Sequence, residues 1–305
     1  MGPTASGKTP AALAVARRLP VEIISVDSAQ VYRGMDIGTA KPDPRTLRDA
    51  PHHLIDILDP TERFSAADFC AAALPLMARV TAAGRVPLLV GGTMLYFKAL
   101  KEGLADLPEA DPAIRLTIDT MAREVGWPAM RQQLERLDPE TAERLDPHDA
   151  QRIQRALEVI YVTDRPLSEL LRAGRPKALP YRVIAAVLEP SDRSALHERI
   201  AARFEAMIEL GLIGEVRTLR SRFPLDPNLP SMRCVGYRQT WDHLDGKLSL
   251  TQLRETGIAA TRQLAKRQLT WLRPMQDAVR FDCLSADASA QVLDYFHRTL
   301  KPELD

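Results

Sequence analysis

Gly2, Pro3, Thr4, Ala5, Ser6, Gly7, Lys8 and Thr9 form the pattern G-x-x-x-x-G-K-[ST]. Two glycines let the backbone approach an anion closely, and the N–H groups of such a loop, at the start of a helix, face negative charge. Lys8 adds a point charge, and the Thr9 hydroxyl is a ligand type for a magnesium ion (Mg2+). The pattern therefore specifies a polyphosphate without saying which one, and nucleotide binding, ATP included, is one form that it takes. A nucleotide hydrolase of this type also carries a strand ending in Asp for the magnesium ion. The corresponding stretch here, "VPLLVGGT", ends in Gly-Gly-Thr. A motor-type ATPase is disfavoured on that ground, and transferases and small-molecule kinases are left.

A second reactive group lies in "ISVDSAQVYRGMDIGTAKP", where Asp27 directly follows an apolar run. A carboxylate there has two readings: it caps a helix start, or it acts as a general base at the sheet edge where ligands of α/β folds collect. Ser28, Gln30, Tyr32 and Arg33 surround it with polar and aromatic groups, and Asp36 and Lys41 follow in a long loop. In "PHHLID", the adjacent His52 and His53 point in different directions and have no third ligand at helical spacing, so no metal site is expected there. Two basic stretches complete the set. "TRQLAKRQLTWLR" carries Arg262, Lys266, Arg267 and Arg273 without an acidic residue, and "QRIQRALEV" places Arg152 and Arg155 at helical spacing. Each is either a solvated helix face or a surface for RNA phosphates, while Leu264 and Trp271 read as core residues.

Strands and helices in alternation must position these groups. A helix is expected over "TPAALAVARRL", where Pro10 falls in the tolerant first turn. Val21–Val26 and Val86–Val90 read as buried strands, and the stretch between them, "SAADFCAAALPLMARVTAAG", as a helix stopped by Gly84. From Asp111 to Gly174 only amphipathic helical stretches occur; Tyr181–Leu188 returns to strand character, and "SALHERIAARFEAMIELGLIGEVRTL" and "TQLRETGIAATRQLAKRQLTWL" read as long helices. With 305 residues, 45% of them apolar and 27% charged, the chain has the balance of a globular protein. Its 41 basic and 40 acidic side chains leave a net charge of +1, so any nucleic-acid surface must come from local clustering. Three well-separated cysteines, Cys70, Cys234 and Cys283, fit neither a disulfide framework nor a zinc site. No run approaches the ~18 apolar residues of a membrane span and no signal peptide is evident, so a cytoplasmic protein without membrane contact is expected.

The stretches "GPTASGKT", "ISVDSAQVYRGMDIGTAKP", "PHHLID", "LLVGGTMLYFKAL", "DPHDAQRIQRALEV", "SMRCVGYRQ" and "TRQLAKRQLTWLR" occur in this order from Gly2 to Arg273. Together they resemble the bacterial tRNA dimethylallyltransferases, also called tRNA isopentenyltransferases. The resemblance implies an α/β fold with a P-loop NTPase-like core, its parallel sheet flanked by helices, and an all-α insertion domain. Residues 1–110 and 178–305 would form the core with its C-terminal RNA-contacting helices, and residues 111–177 the insertion contacting tRNA. It also places a strand before Gly2 that this sequence lacks, so the leading edge of the phosphate loop is expected to be short of support, and Pro10 departs from the family's usual helix formers.

The implied reaction transfers a dimethylallyl group from dimethylallyl diphosphate to N6 of the adenosine 3′-adjacent to the tRNA anticodon, releasing diphosphate. Gly2 to Thr9 would hold the diphosphate, with Lys8 and a Thr9-bound magnesium ion stabilising it as a leaving group. Asp27 would be the general base, and Thr93 would hold the reacting centre. The implied tRNA contacts are Asp27, Ser28, Ala29, Gln30, Thr93 and Arg115; Gln151, Arg152, Ile153, Gln154 and Arg155; Arg233, Cys234, Val235, Gly236, Tyr237 and Arg238; and Lys266, Arg267, Gln268, Leu269, Thr270, Trp271, Leu272 and Arg273. The partners would be a tRNA anticodon stem-loop and dimethylallyl diphosphate, and the chain a monomer. A small-molecule kinase on the same phosphate-loop scaffold, which would turn over ATP, is the alternative enzyme. An RNA-binding module with a regulatory nucleotide site is the alternative outside catalysis.

Overall fold

The structure is a computed structural model, and it describes residues 1–105, 107–173 and 179–304. The chain forms two compact units, Met1–Lys98 with Tyr181–Asp305, and Ala99–Pro180. In chain order the elements are α1 (Lys8–Ala16), β1 (Val21–Val26), α2 (Pro44–Asp49), β2 (His52–His53), α3 (Ala66–Ala82), β3 (Val86–Gly91) and α4 (Met94–Glu102). The helices α5 (Pro112–Val125), α6 (Trp127–Leu137), α7 (Pro139–Glu143), α8 (Ala150–Thr163) and α9 (Leu167–Ala173) follow. After them come β4 (Ala186–Glu189), α10 (Arg193–Glu209), α11 (Leu212–Arg222), α12 (Tyr237–Leu244), α13 (Leu250–Leu272), β5 (Val279–Asp282) and α14 (Ala288–Leu304).

In the first unit, β1 lies between β2 and β3 in a wholly parallel sheet, with Val21 opposite Val86 and Val26 opposite Gly91. Val21, Ile23, Ile24 and Val26 are all buried, which is the pattern of a central strand covered on both faces. One cover is a cluster in which Ala11, Val15 and Leu19 pack with Val292, Phe296 and Leu300 of α14. A second cluster joins Val31, Tyr32 and Met35, just beyond β1, to Leu212, Val216 and Leu219 of α11. The strands β4 and β5 form their own parallel pair, with Ala186 opposite Val279. Helix α13 starts from a capping box in which Ser249 and Gln252 exchange hydrogen bonds. It lies directly on the Phe204 ring of α10, because Gly257 has no Cβ; one placed there would sit 2.0 Å from Phe204 Cζ.

The second unit is helical in its described residues, with Ile118, Met130, Leu134, Ile153 and Leu157 at its centre. Asp111, Asp138 and Asp149 each accept backbone N–H groups at a helix start. Residue 177, the expected end of the insertion, lies outside the described residues.

Two local expectations are corrected. Strand geometry begins at Ala186 and not at Tyr181, so most of the run read as a strand only leads into β4. The single helix expected after it is two, because Gly211 adopts φ 102°, a conformation that glycine reaches without strain and that ends α10 before α11. Strands β2 and β5 are too short, and β5 too charged, for periodicity to reveal them. Among the described residues, no helix is long and apolar enough to cross a membrane.

Candidate active site

Helix α1 opens at Lys8 with Gly7 in the left-handed conformation (φ 74°) and no side-chain cap, so the first N–H groups of the helix keep no partner of their own. Ala5 also has positive φ, at 62°. Within the loop, the buried Ser6 hydroxyl donates to Pro3 O at 2.8 Å, and Lys8 Nζ donates to the same carbonyl at 2.5 Å. Burial lowers the Lys8 pKa to about 8, with the charge of Asp27 opposing the shift and that of Arg203 adding to it. The side before the loop is carried by β4. Met1 N donates to Ala186 O at 2.8 Å, and Leu188 N donates to Met1 O at 2.9 Å, which is the alternation of a parallel ladder.

At the end of β1, Asp27 Oδ1 accepts from Ala29 N at 2.9 Å and from Gln30 N at 3.3 Å. No helix follows, so the carboxylate closes a turn and does not cap a helix, and only one of its oxygens is engaged. Oδ2 has no hydrogen bond among the described residues and remains available to a proton donor. Thr93, where β3 gives way to α4, accepts from Ser28 N at 3.0 Å through Oγ1, and its own N–H donates to Val26 O at 3.2 Å. The two strand ends meet this closely because a Cβ at Gly91 would lie 2.0 Å from Val26 O.

These groups share one cavity of about 880 Å³. Thr4 to Thr9 form one wall, Asp27 to Gln30 and Thr93 another, and Arg233 to Gly236 with Arg267, Gln268 and Trp271 complete it. Helix α10 adds residues that sequence reading passed over: Arg199 and Arg203 with Ile200, Phe204 and Met207. Arg203 and Asp27 line the same cavity, and burial lowers the Arg203 pKa while the Asp27 charge opposes the shift. The available signal was the i, i+4 pair of arginines in "HERIAARF", which looks like an ordinary amphipathic face until the cavity is known. Glu215 was also missed. Its carboxylate accepts from Asp36 N at 3.0 Å, Ile37 N at 2.7 Å and the Tyr237 hydroxyl at 2.6 Å, and so anchors the loop after β1. Nothing local marks a partner 178 residues away.

Several residues placed in the site by resemblance lie elsewhere. Gly2 and Pro3 are buried behind the cavity wall. Tyr237 and Leu272 are fully buried in apolar clusters, as is Ile153 in the helical unit, so their side chains reach no surface. Arg115 and Arg155 both grip the buried Glu158, at 2.8 and 2.7 Å, and with the Asp111 N–H they hold its pKa down against the burial that would raise it. Gln154 donates to Asp119, whereas Gln151 and Arg152 are exposed. Cys234 lines the cavity with its thiol pushed up to about 12 by burial, which leaves it inert. Arg233, Arg238, Lys266, Thr270 and Arg273 are exposed and Leu269 half-buried. Trp271, core by its pattern and a tRNA contact by resemblance, is 37% exposed and lines the cavity, with Lys98 Nζ 5.9 Å from its ring centroid, which corrects the first reading.

A family model described as "IPP transferase" matches residues 30–275, and one described as "Isopentenyl transferase" matches residues 1–56. The tRNA dimethylallyltransferase of Janthinobacterium sp. (strain Marseille) is 60% identical over 294 residues, 96% of this chain and 94% of that protein. The chain belongs to the tRNA dimethylallyltransferase family. A second relative of that name, from Thiobacillus denitrificans, is 60% identical over 95% of this chain and 93% of its own length. The crystal structure of the full-length tRNA isopentenylpyrophosphate transferase from Bacillus halodurans superposes with a TM-score of 0.70 at 37% identity, covering 99% of this chain and 94% of that one. Apart from α10, the cavity walls of this tRNA dimethylallyltransferase family member fall in stretches that carry the resemblance: the loop before α1, the turns after β1 and β3, Arg233 to Gly236, and α13.

Proposed function

We propose that this chain transfers a dimethylallyl group from dimethylallyl diphosphate to N6 of the adenosine 3′-adjacent to the anticodon in tRNAs. One observation carries the reading: a phosphate loop, a carboxylate with a free oxygen and the face of a basic helix line a single cavity. In this reading the bond between the allylic carbon and the bridging oxygen breaks with its electron pair leaving on diphosphate. The N6 lone pair forms the new C–N bond, and the N6 proton passes to Asp27 Oδ2. The N–H groups at the start of α1, Lys8, and Arg203 across the cavity hold the charge of the departing diphosphate. Thr93 and Asp27 hold the adenine side.

A magnesium ion suits the donor set. The Thr9 hydroxyl lines the cavity and makes no hydrogen bond among the described residues, and no group of three or more His, Cys, Asp or Glu there could enclose a metal. Such a site fits an ion that takes most of its ligands from phosphate oxygens and water. When bound, it would neutralise charge on the leaving group. The same reading takes the first unit as a P-loop NTPase-like core, the helical unit as a tRNA-contacting insertion that offers Gln151 and Arg152, and the protein as a cytoplasmic monomer.

The test is mass spectrometry of nucleosides after incubation with an adenosine-containing anticodon stem-loop and dimethylallyl diphosphate. N6-dimethylallyladenosine with equimolar diphosphate is expected. ATP turnover without prenylation would favour a kinase, and stem-loop binding without modification an RNA-binding module.

A further inference from the structure

Gln268 spends both ends of its amide on two different walls of the cavity. Its Oε1 accepts from Thr4 N at 2.8 Å, inside the phosphate loop, and its Nε2 donates to Gly92 O at 2.9 Å, one residue before Thr93. Only one orientation of the amide satisfies both partners, because the reverse would set a donor against a donor and an acceptor against an acceptor. The fit is tight on the Gly92 side, where a Cβ would lie 2.4 Å from Gln268 Nε2. Among the described residues, no other side chain hydrogen-bonds to both the phosphate loop and the turn after β3. The bridge also departs from the helix that carries Lys266 and Arg267.

From this we infer that Gln268 is a positioning residue for the transfer: it sets the distance between the loop that holds the diphosphate and the Gly92–Thr93 turn that holds the adenine side. By resemblance the residue belongs to an RNA-contacting stretch, but its polar atoms are turned inward and occupied. The inference rests on the transfer reading of the cavity. Its chemistry is geometric. The allylic carbon travels between two partners held on separate elements, and a misplacement of about 1 Å at such a site can lower the rate by about 10²-fold.

The test compares wild type, Gln268→Met, Gly92→Ala and the double variant. Methionine keeps the length and packing of glutamine but neither hydrogen bond, and the Gly92→Ala Cβ displaces the amide from the opposite side. For each single variant the expected result is a single-turnover rate about tenfold or more below wild type at saturating substrates, with stem-loop affinity within about two-fold and an unchanged melting temperature. Exchange of the Thr4 amide with deuterium should quicken in both. The double variant should be no slower than the worse single one, because both remove the same bridge. Weakened stem-loop binding with a normal rate would overturn the inference in favour of direct RNA contact, and a wild-type rate in Gln268→Met would overturn it outright. Should the wild-type protein itself fail to prenylate the stem-loop, the transfer reading fails, which the variants cannot mimic.

Discussion

The backbone N–H of Ser28 donates to the Thr93 hydroxyl at 3.0 Å, so the turn that leaves β1 is tied to the turn that leaves β3. Asp27 directly precedes this tie, and its carboxylate is aimed by a turn whose far side Thr93 holds. Replacing Thr93 with valine keeps the branched shape and removes the acceptor, whereas serine keeps it. The single-turnover rate of Thr93→Val should fall by about 10- to 100-fold, with Thr93→Ser within about three-fold of wild type. Equal rates for the two variants would mean that the hydroxyl positions nothing.

Asp27→Asn separates the turn that the carboxylate closes from the base role proposed for it. The asparagine oxygen can still accept from Ala29 and Gln30, as Asp27 Oδ1 does, so the turn and the melting temperature should persist. A neutral amide cannot take the N6 proton, and kcat should fall by about 10²–10⁴-fold while stem-loop and diphosphate affinities hold. Single-turnover rates at saturating substrates decide it. A loss of no more than about three-fold, equivalent to about 0.65 kcal/mol, would reduce Asp27 to a turn residue.

What the sequence made legible follows from range. β1, β3 and α13 stand out because their apolar runs or caps are local, and short-range spacing singled out Thr4–Thr9 and Asp27, which the structure brings to one cavity. The cavity's other half was invisible for the opposite reason. Arg203 joins Asp27 in one cavity only once the chain has folded, and Glu215 anchors a loop 178 residues distant. Trp271 was misjudged because an aromatic at helical spacing has the same pattern whether it packs inward or lines an opening. Tyr237 and Leu272 erred the other way: a contiguous stretch assigned to RNA contact contains the helix's buried face as well as its wet one.

On α13, Lys266 and Arg267 are both exposed, and Arg267 lines the cavity. If they meet phosphates of the anticodon loop, each neutralised phosphate releases counterions. Replacing both with alanine should weaken stem-loop binding and flatten the plot of log affinity against log salt by about 0.7 for each phosphate of single-stranded RNA that is no longer neutralised. Allylic diphosphate affinity should change little. An unaltered salt slope would make the pair a solvated helix face.

In the proposed transfer reading, Lys8 makes diphosphate binding depend on pH in a direction that can be worked out. Burial lowers its pKa in the free protein to about 8. A bound diphosphate favours the charged ammonium and so raises that pKa. Below about 8 the lysine already carries its proton and affinity has its full value. As pH rises above this point, binding must recruit a proton, and affinity falls by up to about tenfold per pH unit until the pKa of the complex is reached. An arginine keeps its charge throughout this range, so Lys8→Arg should lose the decline even if its affinity is lower overall. Taking the ratio of wild type to variant cancels the ligand's own ionisation. Calorimetry in buffers of differing ionisation enthalpy should likewise record proton uptake above pH 8 for wild type and none for Lys8→Arg. Parallel pH profiles for the two proteins would show that Lys8 is fully charged before the ligand arrives.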